Sequence, residues 1–195
     1  MTTVHNIAQG VRSFTSNAFL IEGDRTVLVD AGNEFDAVDR IESVTDDLDA
    51  LVLTHTHPDH VGNVASVVDA FDVDVWGFDP DHELVDHAIA DGETVAIGDG
   101  DYRALHTPGH KDDHLCFYST DDGLLFAGDL VFANGGFGRT DLEEGDRPTL
   151  IESIDYLQKE VGNALSAMYV GHGPAVETNP AHHIELAGQA ARMGQ

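Results

Sequence analysis

The stretch Leu53-Thr54-His55-Thr56-His57-Pro58-Asp59-His60 holds the pattern H-x-H-x-D-H at the end of an apolar run that starts at Ala50. Every second side chain of a strand points to the same face, so His55 and His57 can project together. Pro58 then turns the chain, so that Asp59 and His60 can face a point near these two histidines. Imidazole nitrogens and carboxylate oxygens are ligands that Zn(II) and related divalent cations take. The stretch therefore predicts a metal site at a strand end.

Three further residues of the same ligand types follow apolar runs elsewhere in the chain. They are His110 in Thr107-Pro108-Gly109-His110, Asp129 in Phe126-Ala127-Gly128-Asp129, and His172 in Tyr169-Val170-Gly171-His172. A glycine precedes each of them and lets the backbone approach a crowded centre. Together with the H-x-H-x-D-H stretch they supply five histidines and two aspartates. This set predicts a site for two metal ions.

Composition limits the class of protein. The 195 residues include 36 acidic and 9 basic side chains, for a formal net charge of -27, and 42% of them are hydrophobic. The apolar content suffices for a sizeable core and predicts one folded domain over residues 1–195. The negative charges of such a surface repel one another unless salt screens them. The composition therefore indicates a halophilic host. It also disfavours nucleic-acid partners, because Lys and Arg supply most phosphate contacts.

Cysteine usage and the first residues indicate the compartment. Cys116 is the only cysteine, so an intramolecular disulfide and a thiolate-rich zinc site are both excluded. Residues 1–10 lack the basic and apolar regions of a secretion signal. No apolar run approaches the roughly 20 residues of a membrane span. The sequence therefore predicts a cytoplasmic protein without a membrane segment.

Apolar runs typical of strands alternate with segments of helical period along the whole chain. This order predicts mixed sheets covered by helices, and a two-layer sheet sandwich inside helices fits it. Strands are predicted at 18–21, 26–29, 50–54, 73–78, 94–97, 101–106, 115–119, 124–127 and 167–170. Helices are predicted around 35–44, 64–71, 150–161 and 180–193, the last with Asn179 as N-cap and Pro180 as first residue.

Five segments resemble the metallo-beta-lactamase fold superfamily in order and spacing. They are Val29-Asp30-Ala31-Gly32, the His55 to His60 run, Thr107-Pro108-Gly109-His110, Ala127-Gly128-Asp129 and Gly171-His172-Gly173-Pro174. The resemblance implies an α/β fold, the αββα sandwich of two mixed β-sheets flanked by helices. Within the superfamily, Phe137-Gly138-Arg139-Thr140-Asp141 is similar to small glyoxalase II-like hydrolases and to persulfide dioxygenases.

The resemblance also implies roles for the candidate ligands. One metal would be held by His55, His57 and His110, and a second by Asp59, His60 and His172. Asp129 would bridge both metals, which are expected to be zinc, with iron or manganese as alternatives.

Four residues receive other roles: Asp30 and His114 by the same resemblance, and Asp59 and Arg139 from the chemistry of their side chains. Asp30 is expected to orient ligand imidazoles, and His114 to lie behind the ligands rather than among them. Asp59, itself a ligand, is the candidate catalytic base. Arg139 is a candidate partner for a substrate carboxylate, with an ion pair to Asp141 or Asp146 as the alternative.

Hydrolysis of a small-molecule thioester by a metal-bound hydroxide is the function that the resemblance favours. Hydrolysis of β-lactams is disfavoured because the β-lactamases with the fullest metal sites carry cysteine where this chain has Asp129. Two enzymatic alternatives stay open: a nuclease or phosphodiesterase, and a persulfide dioxygenase with one iron held by His55, His110 and Asp129. A metal-stabilised binding module without activity is the remaining class. The sequence predicts neither the natural substrate nor the oligomeric state.

Overall fold

The computed structural model, which describes residues 2–162 and 164–193, contains two mixed β-sheets that lie face to face between helices. The first sheet has six strands in chain order: β1 (Val4–Asn6), β2 (Phe19–Ile21), β3 (Val27–Val29), β4 (Ala50–Val52), β5 (Val75–Gly77) and β6 (His87–Ala88). The second has five: β7 (Thr94–Ile97), β8 (Gly100–His106), β9 (Leu115–Ser119), β10 (Leu124–Phe126) and β11 (Ala167–Tyr169).

Antiparallel hairpins and parallel crossovers both occur in each sheet. In the first sheet β1, β2 and β3 pair antiparallel, whereas β3 through β6 pair parallel. In the second sheet β11 joins β10 in parallel, and β10, β9, β8 and β7 are antiparallel. Five helices connect or cover them: α1 (Ala37–Glu42), α2 (Pro58–Val61), α3 (Val64–Phe71), α4 (Arg147–Val161) and α5 (Pro180–Met193).

Successive side chains of each strand point to opposite faces of its sheet, and this divides the core into three layers. Ile21 of β2 and Phe117 of β9 belong to the cluster between the two sheets. The neighbouring Leu20 packs with the residues of α1 and α3, and Cys116 packs with those of α4 and α5. Because successive strand residues face opposite ways, each sheet buries both of its faces. The predicted αββα sandwich is confirmed, and Cys116 lies in the core as expected.

The helix boundaries follow from local chemistry. The side chain of Asp146 accepts a hydrogen bond from the backbone N–H of Thr149 at 2.8 Å, which caps the start of α4. α5 begins at Pro180 as predicted. Asn179, which precedes it, has a positive φ of 49° rather than the extended backbone of a typical N-cap.

Several element boundaries differ from the prediction. The strand expected over 50–54 ends at Val52, so Leu53 and Thr54 already belong to the loop that carries the histidines. The strands β1 and β6 were not predicted, because they are only three and two residues long and lie at the two edges of the first sheet.

Backbone hydrogen bonds join the loops of the two sheets at one edge of the sandwich. The N–H of Leu115 donates to the carbonyl of Thr54 at 2.7 Å, and the N–H of Gly171 donates to Gly128 at 2.7 Å. The N–H of Asn17 donates to the carbonyl of Gly171, also at 2.7 Å. The loop after β4 is therefore fixed to the start of β9, and the loops after β10 and β11 are fixed to each other and to the segment before β2. No helix of the described ranges is long and apolar enough to cross a membrane.

Candidate metal centre

All seven side chains predicted as ligands come together at this edge of the sandwich. They form three overlapping groups, and in each group the ligand atoms lie within 4.8 Å of one another. The groups are His55, His57 and His110; His55, His60 and Asp129; and Asp59, His60 and His172.

The loop after β4 and the short helix α2 supply four of these side chains. His55 lies in the loop and is buried, and His57 is the residue before α2. α2 starts at Pro58, whose fixed φ suits the first position of a helix, and carries Asp59 and His60 in its single turn. This turn places the ring centroid of His60 4.0 Å from that of His55 and places Asp59 beside His172.

Asp129 lies at the centre of the cluster. Its Oδ1 is 3.4 Å from Nε2 of His60, and its Oδ2 is 3.5 Å from Nε2 of His110 and 3.4 Å from Nε2 of His172. One carboxylate therefore contacts histidines of all three groups. On the far side of the cluster, Asp59 Oδ2 is 3.0 Å from Nε2 of His172.

Histidine nitrogens crowd together around a shared point. Nδ1 of His57 lies 3.1 Å from Nε2 of His55 and 3.0 Å from Nε2 of His110. Nε2 of His60 and Oδ1 of Asp129 are buried and 3.4 Å apart, and neither has a well-formed hydrogen bond within residues 2–162 and 164–193. A buried polar atom without a partner is unfavourable, so such atoms call for an explanation. A divalent cation satisfies both, and the donor set of imidazoles and carboxylates fits one.

The electrostatics of the cluster favour positive charge. Burial opposes protonation of His60, but the carboxylates of Asp30 and Asp129 outweigh it and raise the pKa of His60 to about 10. Hydrogen bonds to Asp129 and Asp59 likewise outweigh burial at His172 and raise its pKa to about 9. At His57, burial together with the nearby His110 and Lys111 lowers the pKa to about 4. The side of the cluster with the carboxylates attracts cations, while His57 stays neutral and able to ligate.

Asp30 contacts one imidazole from behind. Its Oδ1 accepts the N–H of Thr54 at 2.8 Å, and its Oδ2 accepts the hydroxyl of Thr54 at 2.7 Å. Oδ2 also contacts Nδ1 of His60 at 2.8 Å, which leaves Nε2 of His60 pointing into the cluster. Asp30 adopts a positive φ of 58°, rare for a residue with a side chain. Asp30 thus contacts a candidate ligand, and its role in orienting a ligand imidazole stays a prediction.

Replacing Asp30 with asparagine should weaken metal binding about 10- to 100-fold. Both carboxylate oxygens of Asp30 accept hydrogen bonds, three in all, from Thr54 and His60. In asparagine an NH2 group replaces one oxygen and faces a donor, so one of the three hydrogen bonds is lost. Titration of the metal-free protein with Co(II), followed by visible absorption, measures the change. Asp74→Asn is the matched control, since Asp74 makes a similar contact to an exposed histidine, His87, at 2.9 Å. Equal Co(II) affinity in Asp30→Asn and wild type would contradict this role.

His114 lies beside the cluster and holds its backbone. Nε2 of His114 accepts the N–H of Asp129 at 3.0 Å, so the proton of the ring lies on Nδ1, which contacts Thr107 Oγ1 at 2.8 Å. Burial holds the pKa of His114 well below its ordinary value, as this neutral form requires. The side chain thus sits behind the candidate ligands, where it was expected.

Arg139 contributes its backbone rather than its side chain to the cluster. Its carbonyl oxygen accepts a hydrogen bond from Nδ1 of His110 at 2.8 Å. Its guanidinium is 69% exposed and makes two hydrogen bonds of 2.9 Å to Asp141. The structure therefore shows the ion pair that sequence reasoning named as the alternative to a substrate contact.

Two residues near the cluster escaped sequence reasoning. The hydroxyl of Thr56, between His55 and His57, donates to Oδ2 of the buried Asp113 at 2.6 Å. The ring of Phe14 stacks beside His172, with ring centroids 6.3 Å apart. Neither carries a local signal: Asp113 is one of 25 aspartates, and Phe14 stands in a polar segment.

The sequence model of the Metallo-beta-lactamase superfamily matches residues 11–172, which include all seven side chains. The chain belongs to the metallo-beta-lactamase superfamily. Members typically bind divalent metals and are hydrolases, so this chain is a metallo-hydrolase by family.

Relatives agree with this assignment. The chain is 31% identical to hydroxyacylglutathione hydrolase GloC of Haemophilus influenzae, a match that covers 74% of this chain and 79% of GloC. It is similar to the BLEG-1 B3 metallo-beta-lactamase, with a TM-score of 0.74 and 27% identity over 91% of this chain and 98% of that one. It also resembles TTHA1623 in a di-iron-bound form, with a TM-score of 0.73 and 29% identity over 86% and 92% of the two chains.

Proposed function

We propose that this metallo-hydrolase cleaves small-molecule thioesters at a site for two divalent cations. The observation that carries the proposal is the convergence of seven side chains around buried atoms of His60 and Asp129 that lack a well-formed hydrogen bond within the described part of the chain. Support for the thioester comes from the likeness to GloC, a hydroxyacylglutathione hydrolase.

The three groups of side chains suggest how the cations are held. His55, His57 and His110 would hold one cation, while Asp59, His60 and His172 would hold the other. Asp129 would lie between them, since it contacts His60, His110 and His172. Bound cations of this kind supply Lewis acidity and lower the pKa of a coordinated water to about 7. We propose zinc, while the di-iron form of TTHA1623 makes iron the main alternative.

Asp59 is the proposed proton acceptor. Burial opposes its ionisation, but the hydrogen bond from His172 and the nearby His60 outweigh it and lower the pKa of Asp59. Asp59 is therefore a carboxylate at neutral pH. Its Oδ2 contacts Nε2 of His172, and this carboxylate would accept a proton from a water at the site only transiently, because a group with a lowered pKa releases the proton again at neutral pH.

Arg139 is proposed to bind a carboxylate of the substrate. Its present partner, Asp141, is 71% exposed, and ion pairs between exposed groups are weak. A substrate carboxylate could therefore replace Asp141 without a large loss. The carbonyl of Arg139 accepts a hydrogen bond from Nδ1 of His110, so the backbone from which the guanidinium extends lies next to the cluster.

The test is an assay of the metal-loaded protein against several substrate classes. Thioesters, a phosphodiester and a β-lactam are compared in about 1 M KCl, where the Debye length of about 3 Å damps the repulsion of the acidic surface. The β-lactam is included because of the likeness to BLEG-1. Oxygen uptake with a persulfide tests the dioxygenase alternative. We expect thioester hydrolysis without oxygen uptake, and preference for any other class would overturn the proposal.

A further inference from the structure

An exposed aromatic ring stands at the edge of the metal centre. Phe14 is 75% exposed, and its ring lies nearly parallel to that of His172, at 23° and 6.3 Å between centroids. Within the described part of the chain, only Leu142 and Met193 are other large hydrophobic residues classed as exposed. A large ring exposed beside candidate ligands offers apolar surface that a bound molecule can cover.

The segment that carries Phe14 is fixed to the loops of the centre. The N–H of Ser16 donates to the carbonyl of Asp59 at 3.0 Å, and the N–H of Asn17 donates to Gly171 at 2.7 Å. The hydroxyl oxygen of Thr15 accepts the N–H of Asn33 at 2.8 Å. Phe14 is therefore held beside His172 by the backbone around it, which limits the entropy lost when a ligand packs on the ring.

A second aromatic ring flanks His172. Phe132 is half-buried against the core, and its ring centroid is 6.3 Å from that of His172 at an angle of 60°. His172 itself is 33% exposed, and the ring centroid of each phenylalanine lies 6.3 Å from that of His172. The rings of Phe14 and Phe132 form an apolar ledge beside this histidine.

The other side of the centre is polar. Lys111 follows His110, and its Nζ lies 2.6 Å from Oε2 of Glu144. A cavity of about 340 Å³ lies there, lined by Phe78 and by the polar side chains of Asp79, His82, Lys111, Asp112, Asp113 and Glu144. Apolar rings therefore lie next to His172, and a charged cavity lies at Lys111, the residue after His110.

We propose that the apolar ledge binds the acyl group of the thioester, so that the substrate class is a thioester with an alkyl or aryl acyl chain. A thioester has an acyl end and a thiol end on opposite sides of the scissile bond. The ledge suits an apolar acyl chain, and the charged side suits a polar thiol carrier. The inference rests on the proposed thioester hydrolysis and adds Phe14 as a residue that determines specificity.

Two substrate series test the assignment on the full-length, metal-loaded protein. In one series the acyl group lengthens from acetyl to hexanoyl on N-acetylcysteamine. In the other the acyl group stays acetyl and the thiol becomes apolar. For wild type, kcat/KM should rise about 10-fold along the acyl series. In Phe14→Ala this gain should fall to about 2-fold, while Phe14→Leu should retain most of it because leucine is also apolar.

A binding measurement gives a second readout that does not depend on turnover. Hexanoate should bind metal-loaded wild type about 5- to 10-fold more tightly than acetate by calorimetry, and Phe14→Ala should remove this preference. Met193→Ala is the matched control, since Met193 is 81% exposed at the end of α5, outside the ledge. It should leave both preferences as in wild type.

The possible results separate the two proposals. The same acyl preference in Phe14→Ala and wild type, or a preference that follows the thiol instead of the acyl chain, would overturn the ledge. If no thioester is hydrolysed, the proposed function fails, and the preference for hexanoate over acetate still decides whether the ledge binds acyl chains.

Discussion

Replacing His57 with alanine is expected to lower kcat by about 1,000-fold or more, equal to about 4 kcal/mol of activation free energy, and to leave the fold intact. Nδ1 of His57 lies 3.1 Å from His55 Nε2 and 3.0 Å from His110 Nε2, so the substitution removes a donor from the centre of one group. His57 is only half-buried and lies in a loop, so the three core layers are not affected. Steady-state kinetics measures kcat, elemental analysis measures the bound metal, and circular dichroism reports on the fold.

His182→Ala is the matched control for this substitution. His182 is an exposed histidine on α5, 3.4 Å from Glu185, and is not part of the three donor groups. It should keep wild-type metal content and turnover. Unchanged turnover in His57→Ala would count decisively against the assigned site.

Replacing Gly171 with alanine should weaken metal binding and lower kcat by about 100-fold. A Cβ at this position would overlap Oδ1 of Asp129 and lie 2.9 Å from Cε1 of His60. The backbone cannot easily move away, because Gly171 exchanges hydrogen bonds with Gly128 and Asn17. The two side chains must shift instead, and misplacement by about 1 Å is enough for an effect of this size. Co(II) titration and kcat report it.

Gly173→Ala separates this collision from backbone strain. Gly173 has a φ of 89°, and a Cβ there would meet nothing within 4 Å. Alanine at this position should lower the free energy of unfolding by about 1–2 kcal/mol because of the left-handed backbone. Metal affinity should stay near that of wild type. An equal loss of metal affinity in both variants would show that the contact of Gly171 with Asp129 is not the cause.

The meeting of the seven side chains could be predicted because each follows an apolar run. Residues that follow strands of the same direction lie at one edge of a sheet, as those after β8, β10 and β11 do, and the H-x-H-x-D-H spacing identified a metal site. The structure places His55, His110, Asp129 and His172 in loops directly after β4, β8, β10 and β11. The assignment of each residue to one cation or the other came from family resemblance and stays a proposal.

Other features depend on contacts between distant segments and carry no local pattern. Thr56 donates a hydrogen bond to Asp113, which lies 57 residues further along the chain. Phe14 lies beside His172 because its neighbours are hydrogen-bonded to the loops around Asp59 and Gly171. For the same reason the strand expected at 50–54 ends early. Leu53 and Thr54 are apolar or β-branched, but the backbone of Thr54 is held by Asp30 and by Leu115 of the second sheet.

The most direct test of the central claim is the metal content of the purified protein together with the location of the metal by anomalous diffraction. We predict two divalent cations per chain, one among His55, His57 and His110 and the other among Asp59, His60 and His172, with Asp129 between them. Active protein that contains no metal, or metal found only outside these side chains, would contradict the account.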